Sequence, residues 1–220
     1  MAPVKLYYYY RSPPSRAVLL LIKYLEIEHE IIEVDLFKGQ HMEDWFLEIN
    51  PRHQVPVLDD NGFIITESKA ILCYLANSRM PGSSLYSLTP KKRAIVDSRL
   101  YFDATTVFAR VLATVKSVVF EDATEVSEKV KDDILDVLNY CNGILKESTW
   151  IAGDELSIAD FAIVSTLAAL FFMGINIEDY PEINRWYEQC KGLPGFDENE
   201  TGAKALADVV NEKVDTETAF

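Results

Sequence analysis

Positive charge is scarce in this chain. Its 220 residues carry 21 Lys and Arg against 35 Asp and Glu, a formal net charge of −14. A protein that grips nucleic acid needs a basic face for the phosphates, so this balance argues against a nucleic-acid partner and against a surface drawn to anionic lipid. A local basic pocket is still compatible with an acidic whole, and would steer a small anion over a short range. Cysteine is scarce as well. Cys73, Cys141 and Cys190 are far apart, odd in number and form no CxxC pair. Each falls in a helical, largely apolar pattern, so all three are read as small buried hydrophobes. The three histidines, His29, His41 and His53, join no cysteine cluster, so no metal site is expected. Long apolar runs are missing too. The opening Met1-Ala2-Pro3-Val4-Lys5 lacks the apolar stretch of a secretory signal. The most apolar run, residues 161–177, is interrupted by Ser165, Thr166, Gly174 and Asn176. It reads as a buried core helix rather than a membrane span, which wants about 20 mostly apolar residues. A cytoplasmic protein without a membrane partner is the expectation. No internal repeat and no low-complexity tract is found.

What the chain does have is ample core material, with 49% hydrophobic and 25% charged residues. The first 80 residues alternate in type. Strands are predicted at 4–9, 30–35, 55–58 and 63–65, and helical segments at 14–25, 42–49 and 67–78. The order is βαβ, α, ββα. The first two strands, joined by a crossover helix, should be parallel. The last two flank Asp59-Asp60-Asn61-Gly62, an Asn-Gly hairpin signal. The expectation is a mixed four-stranded sheet with flanking helices in residues 1–80. Residues 81–90 have a linker composition: Met80 to Pro90 holds two prolines, one glycine and four Ser or Thr. Residues 91–220 show no strand signal. Helices are predicted at 91–120, 125–146, 157–173, 182–191 and 202–213, with fraying from about Val214. Ser157-Ile158-Ala159-Asp160 is a capping-box variant opening the central apolar helix.

Three stretches carry chemistry. The first is Arg11-Ser12-Pro13-Pro14-Ser15-Arg16, between the first strand and the first helix. Serine is a strong N-cap and proline is favoured in the first turn. The orphan N–H groups there carry roughly half a unit of positive charge, which suits an anion. Ser12 is therefore either a plain cap or a hydroxyl placed at an anion site. The second is Asn50 to Leu58, with Pro56 inside a strand-like run, a place for an edge, a bulge or a strand start. A cis Val55–Pro56 bond would turn the Val55 N–H and C=O outward, where an extended peptide could pair with them. The third is Thr66-Glu67-Ser68-Lys69-Ala70 at a helix start. Glu67 and Ser68 are either ordinary first-turn residues or binders of an ammonium and a carboxylate.

Taken in order, SPPxRA after a strand, FKGxH, NPxHxVPVLDDNG, IxESxAIxxYL and LSIADF in an all-helical half resemble a cytosolic glutathione transferase. The chain is most similar to the insect epsilon class within the delta/epsilon group. The resemblance spans roughly residues 4–210, and it implies a thioredoxin-like N-terminal domain, an all-α C-terminal domain and a homodimer. It also implies roles. Ser12 would hydrogen-bond the glutathione sulfur and favour the thiolate. A free thiol has a pKa near 8.5, and lowering it by about two units takes roughly 2.7 kcal/mol, the order that a hydrogen bond to a charge plus a helix dipole supplies. Val55, with Pro56, would pair with the cysteinyl backbone. Glu67 and Ser68 would hold the γ-glutamyl end, and His41 and His53 the glycyl carboxylate. Arg110 would lie near the cleft or serve an ordinary interhelical ion pair. Tyr10, Phe108, Leu112, Val115, Phe120, Leu206 and Phe171 are candidates for the electrophile site, with Phe108, Leu112 and Val115 foremost.

Three positions depart from the family pattern: Lys69 after the serine, Arg11 before Ser12, and Arg52 in place of the usual glutamine. Arg11 would add positive potential beside the thiolate or point to solvent. The function implied is transfer of an alkyl or aryl group to the glutathione sulfur, with a hydrophobic small-molecule electrophile, as in detoxification. The alternatives are a non-catalytic carrier of hydrophobic ligands, or a dedicated glutathione-dependent isomerase, peroxidase or biosynthetic enzyme.

Overall fold

A short turn after the first strand brings the chain to Ser12, which starts a helix, and the fold grows from that junction. The computed structural model describes residues 3–214. Strand β1 (Val4–Tyr8) leads to α1 (Pro13–Tyr24), whose N-cap is Ser12 and whose first two positions are prolines. Pro13 and Pro14 lack N–H groups that the first turn would leave unpaired anyway. Residues Ala17 to Ile22 of α1 are all buried, because the helix lies between the sheet and the helical half. Strand β2 (His29–Glu33) pairs parallel with β1, Val4 opposite His29. After the short α2 (Asp44–Leu47), β3 (Val57–Asp60) runs antiparallel to β1, and β4 (Phe63–Thr66) antiparallel to β3. The sheet order is β2-β1-β3-β4. Asn61 and Gly62 both take positive φ, 56° and 92°, the requirement of the two-residue turn that matches strand twist. Helix α3 (Ser68–Arg79) closes this thioredoxin-like half.

The second half is helical: α4 (Pro90–Phe102), α5 (Phe108–Val115), α6 (Glu128–Lys146), α7 (Ile158–Phe172), α8 (Pro181–Cys190) and α9 (Phe196–Asn211). Helix α7 is buried from Ile158 to Leu170 and forms the axle of the molecule, touching α1, α4 and α9. Its start is locally specified. Ser157 and Asp160 exchange the two bonds of a capping box, and Asp160 also accepts from Ile151 N (2.8 Å) and Trp186 Nε1 (2.9 Å). Burial pushes the Asp160 carboxyl up while these donors pull it down.

Four expectations need correction. Residues 91–120 are not one uniform α-helix: π-helical turns at Asp103–Val107 and Lys116–Phe120 interrupt it. Periodicity over a long window does not register one extra residue per turn. The last helix starts at Phe196, not residue 202. Gly195 adopts φ 82° at its N-cap, whereas Gly202 sits inside the helix, where a Cβ would overlap Tyr10 O and Arg16 Cδ. A glycine at a close approach was read as a helix boundary. The helix predicted from 125 begins at Glu128. Cys141 and Cys190 are buried, but Cys73 is only partly so. The fraying expected beyond Val214 lies outside the described residues. Among the described residues no helix is long and apolar enough to cross a membrane.

Candidate functional site

A cavity of about 560 Å³ opens between the sheet-bearing half and the helical half. It gathers Ser12, His41, His53, Val55, Pro56, Glu67 and Ser68 from the first half, and Phe108, Leu112 and Phe120 from the second. Those ten are sequence-predicted site residues, brought together from positions up to 108 apart in the chain.

The polar wall is set by backbone devices. The Ser12 N–H donates to Tyr9 O (2.9 Å), and Ser12 Oγ accepts a long bond from Ser15 N (3.4 Å). Its own proton has no acceptor among the described residues, so the hydroxyl remains able to donate to a ligand. Ser12 is thus a cap and a free donor at once. The segment before Pro56 is braced by Asn50, which donates to Gln54 O (2.8 Å) and accepts from Arg52 N (3.1 Å). The Val55–Pro56 bond is cis, and the Val55 N–H and C=O enter no hydrogen bond among the described residues. Glu67 has φ 66° at the N-cap of α3. That conformation is uncommon for a residue with a Cβ, and such outliers gather at ligand sites. Ser68 behind it is buried.

His41 and His53 stand 6.1 Å apart between ring centroids. His41 Nδ1 is buried without a partner. Burial, then the neighbouring His53, hold the His41 pKa below the ordinary imidazole value. An orphaned imidazole nitrogen beside a second imidazole fits a carboxylate. Lys69 and Arg52 line the same cavity, together with the acidic Glu67. Lys69 also contacts the carboxylate of Asp103, on the first π-helical turn, and no other donor reaches that buried carboxylate among the described residues. This pair joins the two halves beneath the site. Asp103 was not singled out as a site residue in the sequence, and nothing local to it signals a partner 34 residues away.

The helical wall is apolar. Ala104, Phe108 and Leu112 recur every four residues and face the cavity together, with Phe120 at its rim. Four electrophile candidates lie elsewhere. Val115 shares the helix face but sits one turn further on, closed into the core. Leu206 is buried on α9. Phe171 packs edge-on against Tyr187. Tyr10 packs against Tyr9 and the Arg11 guanidinium. Arg110 neither lines the cavity nor forms an ion pair among the described residues. Its Nε is buried without a partner.

Arg11 is half-buried and engaged rather than turned to solvent. Its Nε donates to Ala205 O on α9 (3.1 Å) and its Nη1 to Tyr9 Oη (3.1 Å). The guanidinium lies over the Tyr10 and Phe37 rings, at 5.0 and 5.3 Å. Phe37 stacks on Phe120 across the halves, centroids 6.3 Å apart and planes 18° apart. Leu36 was missed as a wall residue, and Phe37 as the ring that stacks on the wall residue Phe120. The quoted motif FKGxH contained Phe37, but an exposed aromatic after a strand has no local signature of a stacking partner. Among the described residues no group of three or more His, Cys, Asp or Glu could hold a metal.

Comparison with known proteins follows the same division. The N-terminal domain model of glutathione S-transferase matches residues 2–77, and the C-terminal domain model matches residues 93–194. Glutathione S-transferase D7 of Anopheles gambiae is 35% identical over 222 residues, covering 97% of this chain and 99% of that protein. The solved glutathione S-transferase unclassified 2 from Bombyx mori superposes with a TM-score of 0.92 at 37% identity, covering 97% and 99% of the two chains. A glutathione transferase homolog from Drosophila mojavensis, solved with bound glutathione, gives a TM-score of 0.91 at 33% identity, over 97% and 99%.

Proposed function

The chain belongs to the glutathione S-transferase family, with insect delta- and epsilon-class relatives, and on that premise we propose that it binds glutathione in the interdomain cavity and joins the sulfur to hydrophobic electrophiles. The observation that carries this reading is Ser12. Its uncommitted hydroxyl stands at the N-terminus of α1, inside a cavity with one polar and one apolar wall. A hydroxyl donor and a helix N-terminus both favour thiolate over thiol. Serine here stabilises the nucleophile and is not itself one.

Each end of the tripeptide has a matching group. Glu67 suits the ammonium, Ser68 and the first turn of α3 the γ-glutamyl carboxylate, and the unpaired Val55 backbone the cysteinyl amide. His41 and His53, with Arg52 nearby, suit the glycyl carboxylate. The thiolate then attacks an electrophilic carbon held against Ala104, Phe108 and Leu112. A carbon–sulfur bond forms, and the leaving group departs with its electron pair or an activated double bond takes up a proton. Proximity and thiolate fraction supply the acceleration. An apolar wall with few anchors binds many hydrophobic partners with weak discrimination, which suits detoxification. Two chains are expected to associate, since Phe63 and Ile64 on β4 and Ile95 and Tyr101 on α4 leave large apolar side chains exposed. A cytoplasmic location agrees with free, reduced cysteines.

The test is a spectrophotometric titration of bound glutathione between about pH 5 and 9, following thiolate absorbance. A thiol pKa lowered by about two units in the wild type and restored in Ser12→Ala supports the assignment. Tight binding with an unshifted thiol makes the protein a carrier, and absence of binding removes the proposal.

A further inference from the structure

Arg16 lies one turn beyond Ser12 on α1 and is 1% exposed. Its Nε donates to Asn199 Oδ1 (3.1 Å). Nη1 donates to Tyr10 O (3.3 Å) and Arg11 O (2.8 Å), and Nη2 to Ser165 O (2.8 Å). All four acceptors are neutral. Among the described residues no carboxylate forms an ion pair with it. Tyr8 faces it from β1 and Tyr187 from α8, both with pKa values raised chiefly by burial and so uncharged. The acids on α9 nearest to Asn199 are engaged elsewhere, Glu198 with Lys23 and Glu200 with Tyr187. Burial lowers the guanidinium pKa to about 10, which leaves it charged at neutral pH.

A buried charge is ordinarily paired. This one instead holds the two carbonyls directly ahead of Ser12, while its own N–H donates to Ser12 O (3.0 Å). Gly202 admits the backbone of α9 to the same cluster. The interior there has a cation and hydrogen-bond acceptors, and lacks an anion. We propose that Arg16 is a positioning residue for Ser12 whose unpaired charge takes the glutathione thiolate as its counter-ion. This rests on the glutathione reading above. Unlike a surface charge, a buried one acts with little screening by salt. Of the other ionisable groups around Ser12, Glu67, Lys69, Arg52, His41 and His53 line the open cavity, and the Arg11 guanidinium lies over the Tyr10 and Phe37 rings.

Asn199→Asp tests this without dismantling the cluster. Asn199 Nδ2 is buried and has no partner, so exchanging it for an oxygen removes no hydrogen bond. It sets a carboxylate against Nε and cancels the charge. Three quantities are read in each variant: the thiol pKa of bound glutathione, the Kd of S-methylglutathione, and Tm. The expected result is a thiol pKa raised by about one unit, hence about tenfold less thiolate at a pH below both values. Kd should stay within about twofold, and Tm should be equal or higher. Arg16→Gln should raise the pKa in the same direction, while Arg16→Lys keeps the charge and the low pKa even if Tm falls. A purely structural Arg16 predicts a higher Tm in Asn199→Asp with an unmoved thiol pKa. That outcome, with a lowered wild-type pKa, overturns this inference alone. A wild-type thiol that is not lowered overturns the glutathione reading and this one with it.

Discussion

On one side of the cavity, Ser12, Val55, Glu67 and Ser68 are held by a helix cap, a cis peptide, a left-handed backbone and a second helix start. On the other side, Ala104, Phe108 and Leu112 are held only by the path of one helical run. The first wall is specified residue by residue, because polar recognition requires each donor and acceptor at a set place. The second needs an apolar surface of about the right shape, which many side chains can supply. A site of this kind can keep one partner constant and let the other vary.

Four experiments would break or sharpen that contrast. The largest effect is expected from Ser12→Ala, with kcat lower by about 100-fold at saturating glutathione and S-methylglutathione affinity changed by less than about threefold. Steady-state kinetics with a chromogenic electrophile reads the first, calorimetry the second, and an equal loss in both would refute the thiolate role. Glu67→Ala should weaken glutathione binding by about tenfold, or 1.4 kcal/mol, with kcat nearly unchanged. Unaltered affinity would remove Glu67 from the specified wall. Phe108→Ala and Leu112→Ala should each raise the KM of a bulky aromatic electrophile by about threefold and leave glutathione affinity alone. If either variant damaged glutathione binding, the two walls would not be independent. The smallest effect concerns His41. Its pKa lies below the ordinary value, so it is neutral at pH 7, and a carboxylate ligand favours the protonated form. Affinity for S-methylglutathione, which has no titrating thiol, should therefore rise by about twofold between pH 7.5 and 5.5. A fall over that range would reverse the assignment.

The same contrast explains what the sequence made legible. The Ser12 cap, the Asn61-Gly62 hairpin and the Ser157–Asp160 box are local devices, written within a few residues, and each was readable. The parallel pairing of β1 with β2 followed from the crossover helix between them. Contacts between distant residues left no such trace. Lys69 and Asp103, Phe37 and Phe120, and Arg16 and Asn199 meet because helices pack, not because any window of sequence pairs them. Val115 and Leu206 show the converse. Helical periodicity assigns a face, and a core and a pocket wall both want apolar residues on that face. The start of the last helix was placed late, at Gly202, for a related reason. Within a single window, a glycine at a helix boundary and one that lets another backbone come close look alike.

Arg16 and Asn199 are 183 residues apart in the chain, and Arg11 and Ala205 are 194 apart. A ribosome adds roughly 5–20 residues per second, so the segment around Ser12 emerges about 10 to 40 s before the helix that secures it. During that interval the nascent first half holds a desolvation-prone guanidinium and an unfinished wall. The bonds from Arg11 and Arg16 to α9 are thus the last to close around Ser12, and a chain cut short ahead of α9 lacks that clasp.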